Sequence, residues 1–182
     1  MQEEQGLVLR AQEQDGEAFA ELYERYFDKI YRYVTLRMGD RTEAEDITQQ
    51  VFLKALKSLP SFKWRNVPFG AWLFRIAHNQ VVDHLRKKQR RPSVPVENVE
   101  LVADDDPQRA AEQGHEIERV MNAARQLTIA QQQVISLRFA GELPVAEVAR
   151  IMGRSQGAVK ALQHSAIVAL RRIMRIEQGD VL

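Results

Sequence analysis

The stretch Pro144–Arg172 constrains the fold of this chain most, because small, apolar and polar residues occur along it where a helix-turn-helix requires them. A short helix is predicted over Val145–Met152. Gly153 permits the sharp turn that follows, and Ser155 can cap a second helix. The apolar residues that would hold the two helices together are Val148, Ala149, Met152, Val159 and Leu162.

The outward side chains of the second predicted helix are polar, namely Gln156, Lys160, Gln163 and His164. On a helix that lies in the major groove of DNA, such side chains reach base edges and phosphates. An ordinary helical hairpin with a solvent-facing polar side would look the same. This stretch alone therefore leaves both interpretations open.

Apolar residues recur at helical spacing through most of the chain, and no alternation of useful length indicates a β-strand. The sequence therefore predicts an all-α fold. Thr42 with Glu45, and Thr128 with Gln131, each predict a capping box at a helix start, while Pro92 would stop the fourth helix. The predicted helices outside the helix-turn-helix span Leu7–Gln14, Glu17–Arg37, residues 42–59, Phe69 to about Arg90, a segment ending at Leu127, and residues 129–139.

Changes in composition divide the chain into two small helical domains joined by a flexible linker. Residues 93–114 lose the helical period, are acidic and contain prolines, which indicates an extended linker. The N-terminal domain is predicted over residues 1–92. The C-terminal domain, which contains the helix-turn-helix, is predicted over residues 115–182.

Composition also excludes several classes of protein. The 182 residues include no Cys, so no disulfide framework, thiolate metal site or cysteine nucleophile is expected. His78 and His84 would fall on different faces of one helix, which argues against a metal pair. No apolar run is long enough to cross a bilayer, so we expect a cytoplasmic protein without membrane insertion. No cofactor is predicted, and without a glycine-rich phosphate loop or a nucleophile elbow an enzyme is not expected.

The predicted helix Phe69–Arg91 begins with aromatic and amide side chains and ends in a basic block. Basic side chains neutralise phosphates, whereas aromatic faces stack on bases that have left the duplex, so the combination favours strand opening. Two plainer interpretations stay open: Trp72 could belong to the core, and the basic block could be a solvated helix end favoured by the helix dipole.

Three motifs in this order make the chain resemble the sigma factors of the sigma-70 family, specifically the small, two-domain extracytoplasmic-function (ECF) type. They are Ala44–Leu53 (AEDITQQVFL), Phe69–Arg91 (FGAWLFRIAHNQVVDHLRKKQRR) and Val148–Arg172 (VARIMGRSQGAVKALQHSAIVALRR). The resemblance implies a promoter-specificity subunit that binds the core of RNA polymerase. It further implies that the C-terminal domain reads a minus-thirty-five element, that the N-terminal domain opens a minus-ten element, and that an anti-sigma factor is a partner.

The resemblance also implies roles for individual residues. Those matched to the minus-ten strand are Trp72, Arg75, Asn79, Asp83, Arg86 and Lys87. Those matched to the minus-thirty-five element are Arg154, Ser155, Gln156, Lys160, Gln163 and His164. Those matched to the surface for the clamp helices of the polymerase beta-prime subunit are Asp46, Gln49, Gln50 and Phe52. Asp83 could accept a hydrogen bond from an exocyclic amine, or simply pair with Arg86 or Lys87 on the same helix.

One departure and one alternative accompany the resemblance. Relatives carry more arginine late in the recognition helix, whereas Leu162, Ser165 and Ile167 are neutral, so weaker minus-thirty-five affinity or a narrower base preference is expected. The alternative is a polymerase-independent helix-turn-helix regulator, in which Phe69–Arg91 would serve a ligand-binding or dimerisation domain. Such a regulator would bind duplex promoter DNA tightly by itself.

Overall fold

A computed structural model of the chain describes residues 2–64, 67–90 and 119–177. These residues form helices and turns without a strand, which confirms the predicted all-α class. The predicted linker, residues 93–114, lies outside them. The N-terminal lobe consists of α1 (Gln2–Gln12), α2 (Gly16–Met38), α3 (Arg41–Ser58), a 3-10 turn (Leu59–Ser61) and α4 (Phe69–Arg90). The C-terminal lobe consists of helical residues 119–125 (α5), α6 (Ile129–Ile135), a π-helical turn (Ser136–Ala140), α7 (Val145–Met152) and α8 (Gln156–Glu177).

The first helix differs from the prediction of Leu7–Gln14 at both ends. It begins at Gln2 because Glu3 and Glu4 place negative charge in the first turn, where the helix dipole favours it. It ends at Gln12, and Gln14 takes a left-handed conformation with φ of 68°, which a continuing helix does not allow.

The predicted capping box at Thr42 and Glu45 is wrong. Gly39 ends α2 in a left-handed conformation, and Asp40 follows it with extended backbone. The Asp40 carboxylate then accepts a hydrogen bond from the Glu43 backbone N–H at 2.8 Å, so the capping residue of α3 lies two residues before the predicted Thr42.

The second predicted capping box is confirmed. The Gln131 backbone N–H donates to the Thr128 hydroxyl at 3.3 Å, and the Thr128 N–H donates to the Gln131 side-chain oxygen at 3.1 Å. The helix that they start continues through the π-helical turn, which ends at Ala140, one residue after the predicted end.

Large apolar side chains fill the space between α2, α3 and α4. Those with less than 2% exposure in this lobe include Leu22, Ile30, Tyr33, Ile47, Leu59, Phe69, Leu73 and Phe74. Several of the rings meet edge to face, as in the pair Tyr33 and Phe74 at 5.6 Å between centroids. These aromatic and aliphatic side chains form the N-terminal part of the core.

The C-terminal lobe is built around the predicted helix-turn-helix. Val148 and Ala149 of α7 are buried against Val159 of α8, and Met152 and Leu162 are partly buried at the same seam, as predicted. The two lobes also touch each other, and their buried residues form one continuous cluster. No helix in the described part of the chain is both long and apolar enough to cross a membrane.

Candidate nucleic-acid interface

The six residues matched to the minus-ten strand lie along one face of α4. At 100° per residue, these six positions fall within a sector of about 120° around the helix axis and extend over about 22 Å of helix. They are residues 72, 75, 79, 83, 86 and 87. The opposite sector is the core face, which consists of Leu73, Phe74, Ala77 and Val81. Because α4 is anchored by that apolar face, its polar stripe is held towards solvent; all six are exposed except Trp72, which is half-buried.

Trp72 stands at the edge of the aromatic core. Its ring lies 4.8 Å from Phe62 and 5.4 Å from Phe69, measured between centroids. Its remaining surface lines a cavity with Arg75 and with residues of α7. The core interpretation of Trp72 is thus confirmed for one side of its ring, while its other side faces a space that charged side chains surround; stacking on a base stays a prediction.

The basic end of α4 is partly paired within the lobe. Lys88 Nζ lies 2.9 Å from Glu43 Oε1, and His84 Nε2 lies 3.7 Å from the other oxygen of that carboxylate. Arg86 and Lys87 point to solvent. Asp83 is exposed, and no ion pair among the described residues joins it to either of them.

The helix-turn-helix has the turn that the sequence predicted. Gly153 is left-handed with φ of 63°, and its N–H bonds back to the α7 carbonyls. The Ser155 hydroxyl accepts from the Ala158 backbone N–H at 3.2 Å, so Ser155 caps α8. Arg154, Ser155 and Gln156 border an open hollow between α7 and α8. A helix N-terminus beside an arginine is a favourable environment for a phosphate.

The outward face of α8 carries Gln156, Lys160 and His164, all exposed. Gln163 is half-buried, and its side-chain oxygen accepts a hydrogen bond from Arg138 Nε at 3.0 Å. Sequence reasoning missed Arg138, which also donates to the Leu143 carbonyl. Arg138 thereby orients the Gln163 amide so that its NH₂ group can donate outward.

The residues matched to the polymerase surface divide into two groups. Asp46, Gln49 and Gln50 are exposed on one face of α3. Phe52 is 6% exposed and packs against Tyr23 at 4.6 Å between centroids, so it belongs to the core beneath this face. Two exposed apolar residues that the sequence analysis did not assign to this surface, Leu53 at 57% and Leu56 at 46%, continue the face. Leu53 follows Gln50 by three residues and Asp46 by seven, and Leu56 follows Gln49 by seven; this helical spacing was the available signal.

Among residues 2–64, 67–90 and 119–177, no three His, Asp or Glu side chains are grouped closely enough to hold an ion. His78 and His84 have separate partners: His78 contacts Tyr33 and Gln133, and His84 contacts Glu43.

Comparison with known proteins matches both lobes to one protein family. The family profile "Sigma-70 region 2" matches residues 22–91, and "Sigma-70, region 4" matches residues 123–172. The ECF RNA polymerase sigma factor BldN of Streptomyces coelicolor is 39% identical over 173 residues; the match covers 92% of this chain and 64% of BldN. The sigma factor SigW of Bacillus subtilis is 30% identical over 178 residues, and the match covers 92% of this chain and 95% of SigW.

A solved structure shares the fold. CnrH, in complex with the cytosolic domain of CnrY, superposes with a TM-score of 0.72 at 24% identity, covering 96% of this chain and 97% of CnrH. Two family profiles in the expected order, together with a relative of matching length, establish the family. The chain therefore belongs to the ECF group of the sigma-70 family of RNA polymerase sigma factors.

Proposed function

We propose that this chain is a promoter-specificity subunit that acts in the cytoplasm, binds core RNA polymerase and starts transcription at its own set of promoters, without catalysis of its own. The observation that carries the proposal is the presence of two different DNA-facing surfaces on one chain. The stripe on α4 joins an aromatic face to cations, which suits a separated strand. The α7–α8 unit presents polar side chains in the form that suits duplex DNA.

The assignment of residues is part of the proposal. Trp72 would stack on an unpaired base, Asn79 and Asp83 would hydrogen-bond base edges, and the α4 cations Arg75, Arg86 and Lys87 would hold phosphates. On α8, Gln163 and His164 would read base edges of the minus-thirty-five element, and Lys160 would hold a phosphate beside them. Arg154, Ser155 and Gln156 would fix the helix N-terminus on the DNA backbone.

The proposed polymerase-binding surface is the α3 face with Asp46, Gln49 and Gln50, together with Leu53 and Leu56. A polar rim around two exposed leucines has the mixture that protein interfaces show. The proposed partner is the clamp-helix region of the beta-prime subunit. An anti-sigma factor is proposed as a second protein partner; CnrH, which shares the fold, was solved with another polypeptide bound.

Run-off transcription tests this function. Purified core polymerase, the purified chain and a genomic DNA library are mixed, and the transcripts are sequenced. We expect defined start sites only when both proteins are present, and core polymerase alone is the control. If the pair starts no specific transcript on any fragment, the chain is not a sigma factor under these conditions and the proposal fails.

A matched variant tests the alternative of an independent regulator. Lys160→Glu reverses one exposed charge on the outward face of α8 without touching the core. It should abolish transcription from promoters that need the minus-thirty-five element while leaving polymerase binding intact. Strong, specific footprinting by the wild-type chain without polymerase would instead support the regulator.

A further inference from the structure

Gln163 lies at the edge of the outward face of α8 rather than at its centre. At about 100° per residue, it is about 60° around the helix axis from Lys160, on the side of Val159. Lys160 is exposed, Val159 is fully buried, and Gln163 is half-buried between them. Because a side chain in this place contacts the rest of the lobe, its neighbours decide which end of its amide faces outward.

Arg138 is held at two points, and one of them is Gln163. It lies in the π-helical turn, a kind of turn that is frequent at functional sites. One guanidinium nitrogen donates to the Leu143 carbonyl, and Nε donates to Gln163 Oε1 at 3.0 Å. The Leu143 N–H in turn donates to the Leu137 carbonyl at 3.1 Å, and both leucines are buried. The planar guanidinium is therefore anchored to buried backbone and can hold the amide in one orientation.

This hydrogen bond gives the two ends of the Gln163 amide different roles. Arginine has no acceptor, so the amide atom that faces Arg138 is the oxygen. In the part of the chain that the structure describes, no group accepts a hydrogen bond from Gln163 Nε2. An amide whose oxygen accepts from a cation is polarised, which strengthens its N–H donors. Gln163 therefore presents to DNA a group that donates and does not accept.

A donor without an acceptor distinguishes the bases in the major groove. Guanine presents two acceptors there, N7 and O6, whereas cytosine presents only a donor, its N4 amine. A glutamine that can turn freely pairs well with adenine, because it accepts from N6 and donates to N7 side by side. That pairing needs the glutamine oxygen to face the base edge, which would turn Gln163 Oε1 away from Arg138.

We propose that Arg138 is a positioning residue that makes Gln163 a donor-only reader of DNA, so that the chain prefers guanine to adenine, and disfavours cytosine, at the minus-thirty-five position that Gln163 faces. This inference rests on the proposed function, to which it adds a base identity and a residue that does not itself touch the base. The orientation of the amide, however, is a property of the free chain and is measurable without polymerase or DNA.

Transcription from a randomised promoter library measures the base preference. Core polymerase and the purified chain transcribe fragments that carry all four bases at each position of the minus-thirty-five element, and transcripts are counted against input DNA. At one position, guanine should exceed adenine by about threefold or more, as expected for one hydrogen bond, and Gln163→Ala should abolish that preference. If no guanine preference depends on Gln163, the inference is overturned.

Removal of the donors of Arg138 tests the positioning role. Arg138→Met keeps most of the side-chain length, and the freed amide can turn towards adenine. The guanine-to-adenine ratio at that position should fall about threefold or more, while other positions keep their ratios. In the Gln163→Ala background, Arg138→Met should change no ratio, because Arg138 acts through Gln163. Unchanged ratios in the wild-type background, or equal changes in both backgrounds, would overturn the role given to Arg138.

Gln163→Glu tests the donor without altering Arg138. The carboxylate has nearly the same size and accepts from the guanidinium, but it has no donor. Guanine should therefore become the least favoured base, and cytosine, whose N4 amine can donate to the outward carboxylate oxygen, should rise above it. A guanine preference that survives in Gln163→Glu contradicts the inference, even if Arg138→Met does not fold.

The matched control removes a hydrogen bond from the other side of α8. Ser165 Oγ accepts from Gln131 Nε2 at 3.0 Å, and Ser165 follows Gln163 by two residues, which places it nearly opposite on the helix. Ser165→Ala should leave the base ratio at the Gln163 position unchanged. If it shifts that ratio as much as Arg138→Met does, a general displacement of α8 explains both effects and the positioning role is lost.

Nuclear magnetic resonance of the free, full-length chain separates failure of this inference from failure of the proposed function. The Arg138 Nε–H should exchange with water about tenfold or more slower than those of exposed arginines, and Gln163→Ala should remove this protection. A chain without the protection lacks the hydrogen bond, which overturns the positioning role whatever it transcribes. A chain that shows the protection but starts no transcript with polymerase contradicts the proposed function, and the base preference with it.

Discussion

The two lobes differ in the kind of core that supports the helix proposed to read DNA. In the N-terminal lobe, the core is aromatic: every described ring pair lies between residues 23 and 74. In the C-terminal lobe, the fully buried side chains are small and aliphatic, namely Ala123, Val134, Leu137, Val148, Val159 and Ala166. A large ring buries more apolar area than a Val or an Ala, so the N-terminal lobe has the deeper core.

The comparison teaches where function and stability overlap. Trp72 belongs both to the aromatic core and to the α4 stripe that is proposed to face DNA, so in the N-terminal lobe the proposed reading surface adjoins the core directly. In the C-terminal lobe, Lys160 and His164 stand away from the buried seam. Substitutions should therefore combine folding and functional defects in the first lobe and separate them in the second.

The largest effect is expected from the core itself. Phe69→Ala should lower the free energy of unfolding by about 3–5 kcal/mol, because it removes a ring that contacts Tyr26, Phe62 and Trp72. The matched change in the other lobe, Val159→Ala, should cost about 1–3 kcal/mol. Urea unfolding followed by tryptophan fluorescence and by circular dichroism measures both, since Trp64 and Trp72 lie in the N-terminal lobe. Equal losses would refute the difference between the cores.

The next effect concerns strand opening. Trp72→Ala should reduce open-complex formation by about 5- to 100-fold, as expected for loss of one base-stacking platform worth about 1–3 kcal/mol. Trp72→Phe keeps an aromatic face and should retain most activity. Permanganate reactivity of unpaired thymines measures opening, and polymerase binding serves as the control. If binding, stability and opening decline together, Trp72 acts only as a core residue.

Removal of a helix-capping side chain should have a smaller effect on stability, and the effect should be similar in both lobes. Asp40→Ala removes the carboxylate that caps α3, and Ser155→Ala removes the hydroxyl that caps α8; each should cost about 1 kcal/mol of stability. Asp40→Ser and Ser155→Thr should recover most of it, because each supplies a new capping oxygen. Thermal melts detect the differences, and a loss that the capping variants do not recover would assign the effect to something other than the cap.

The smallest effect is expected from one phosphate contact. Lys160→Ala should weaken minus-thirty-five binding almost uniformly across sequences and reduce the magnitude of the salt slope by about 1. Gln163→Ala should instead relax the preference at one base position, because an amide reads a base edge. Holoenzyme binding to a promoter series at several salt concentrations separates the two. An unchanged slope for Lys160→Ala would place this lysine away from the DNA backbone.

Helix ends that depend on the local sequence were predicted well. The predicted Glu17–Arg37 and the observed Gly16–Met38 differ by one residue at each end, as does the predicted end of the helix that follows Thr128. The start of α3 was mispredicted because two capping residues, Asp40 and Thr42, compete within one turn, and the left-handed Gly39 decides between them. The local sequence contains both candidate capping residues, but it does not fix the backbone conformation that selects one of them.

For the candidate site, the sequence supplied the outward residues, and the structure supplied what holds them. The residues of the α4 stripe came from the family resemblance, and helical spacing places them on one face; the outward face of α8 followed from helical spacing. The bond from Arg138 to Gln163 and the packing of Trp72 on Phe62 join residues that are 25 and 10 positions apart. Spacing rules cannot pair such residues, because their proximity depends on how helices pack.

The sequence by itself determined the helices, the helix-turn-helix and the family, because each depends on periodicity, turn residues and motifs within short segments. Only the tertiary structure decided how the lobes meet: Arg37 reaches Ile129, and His78 reaches Gln133, across 92 and 55 residues. The physical reason is that helix formation is governed by near neighbours along the chain. Docking of one lobe on another depends instead on shape, burial and charge brought together from distant positions.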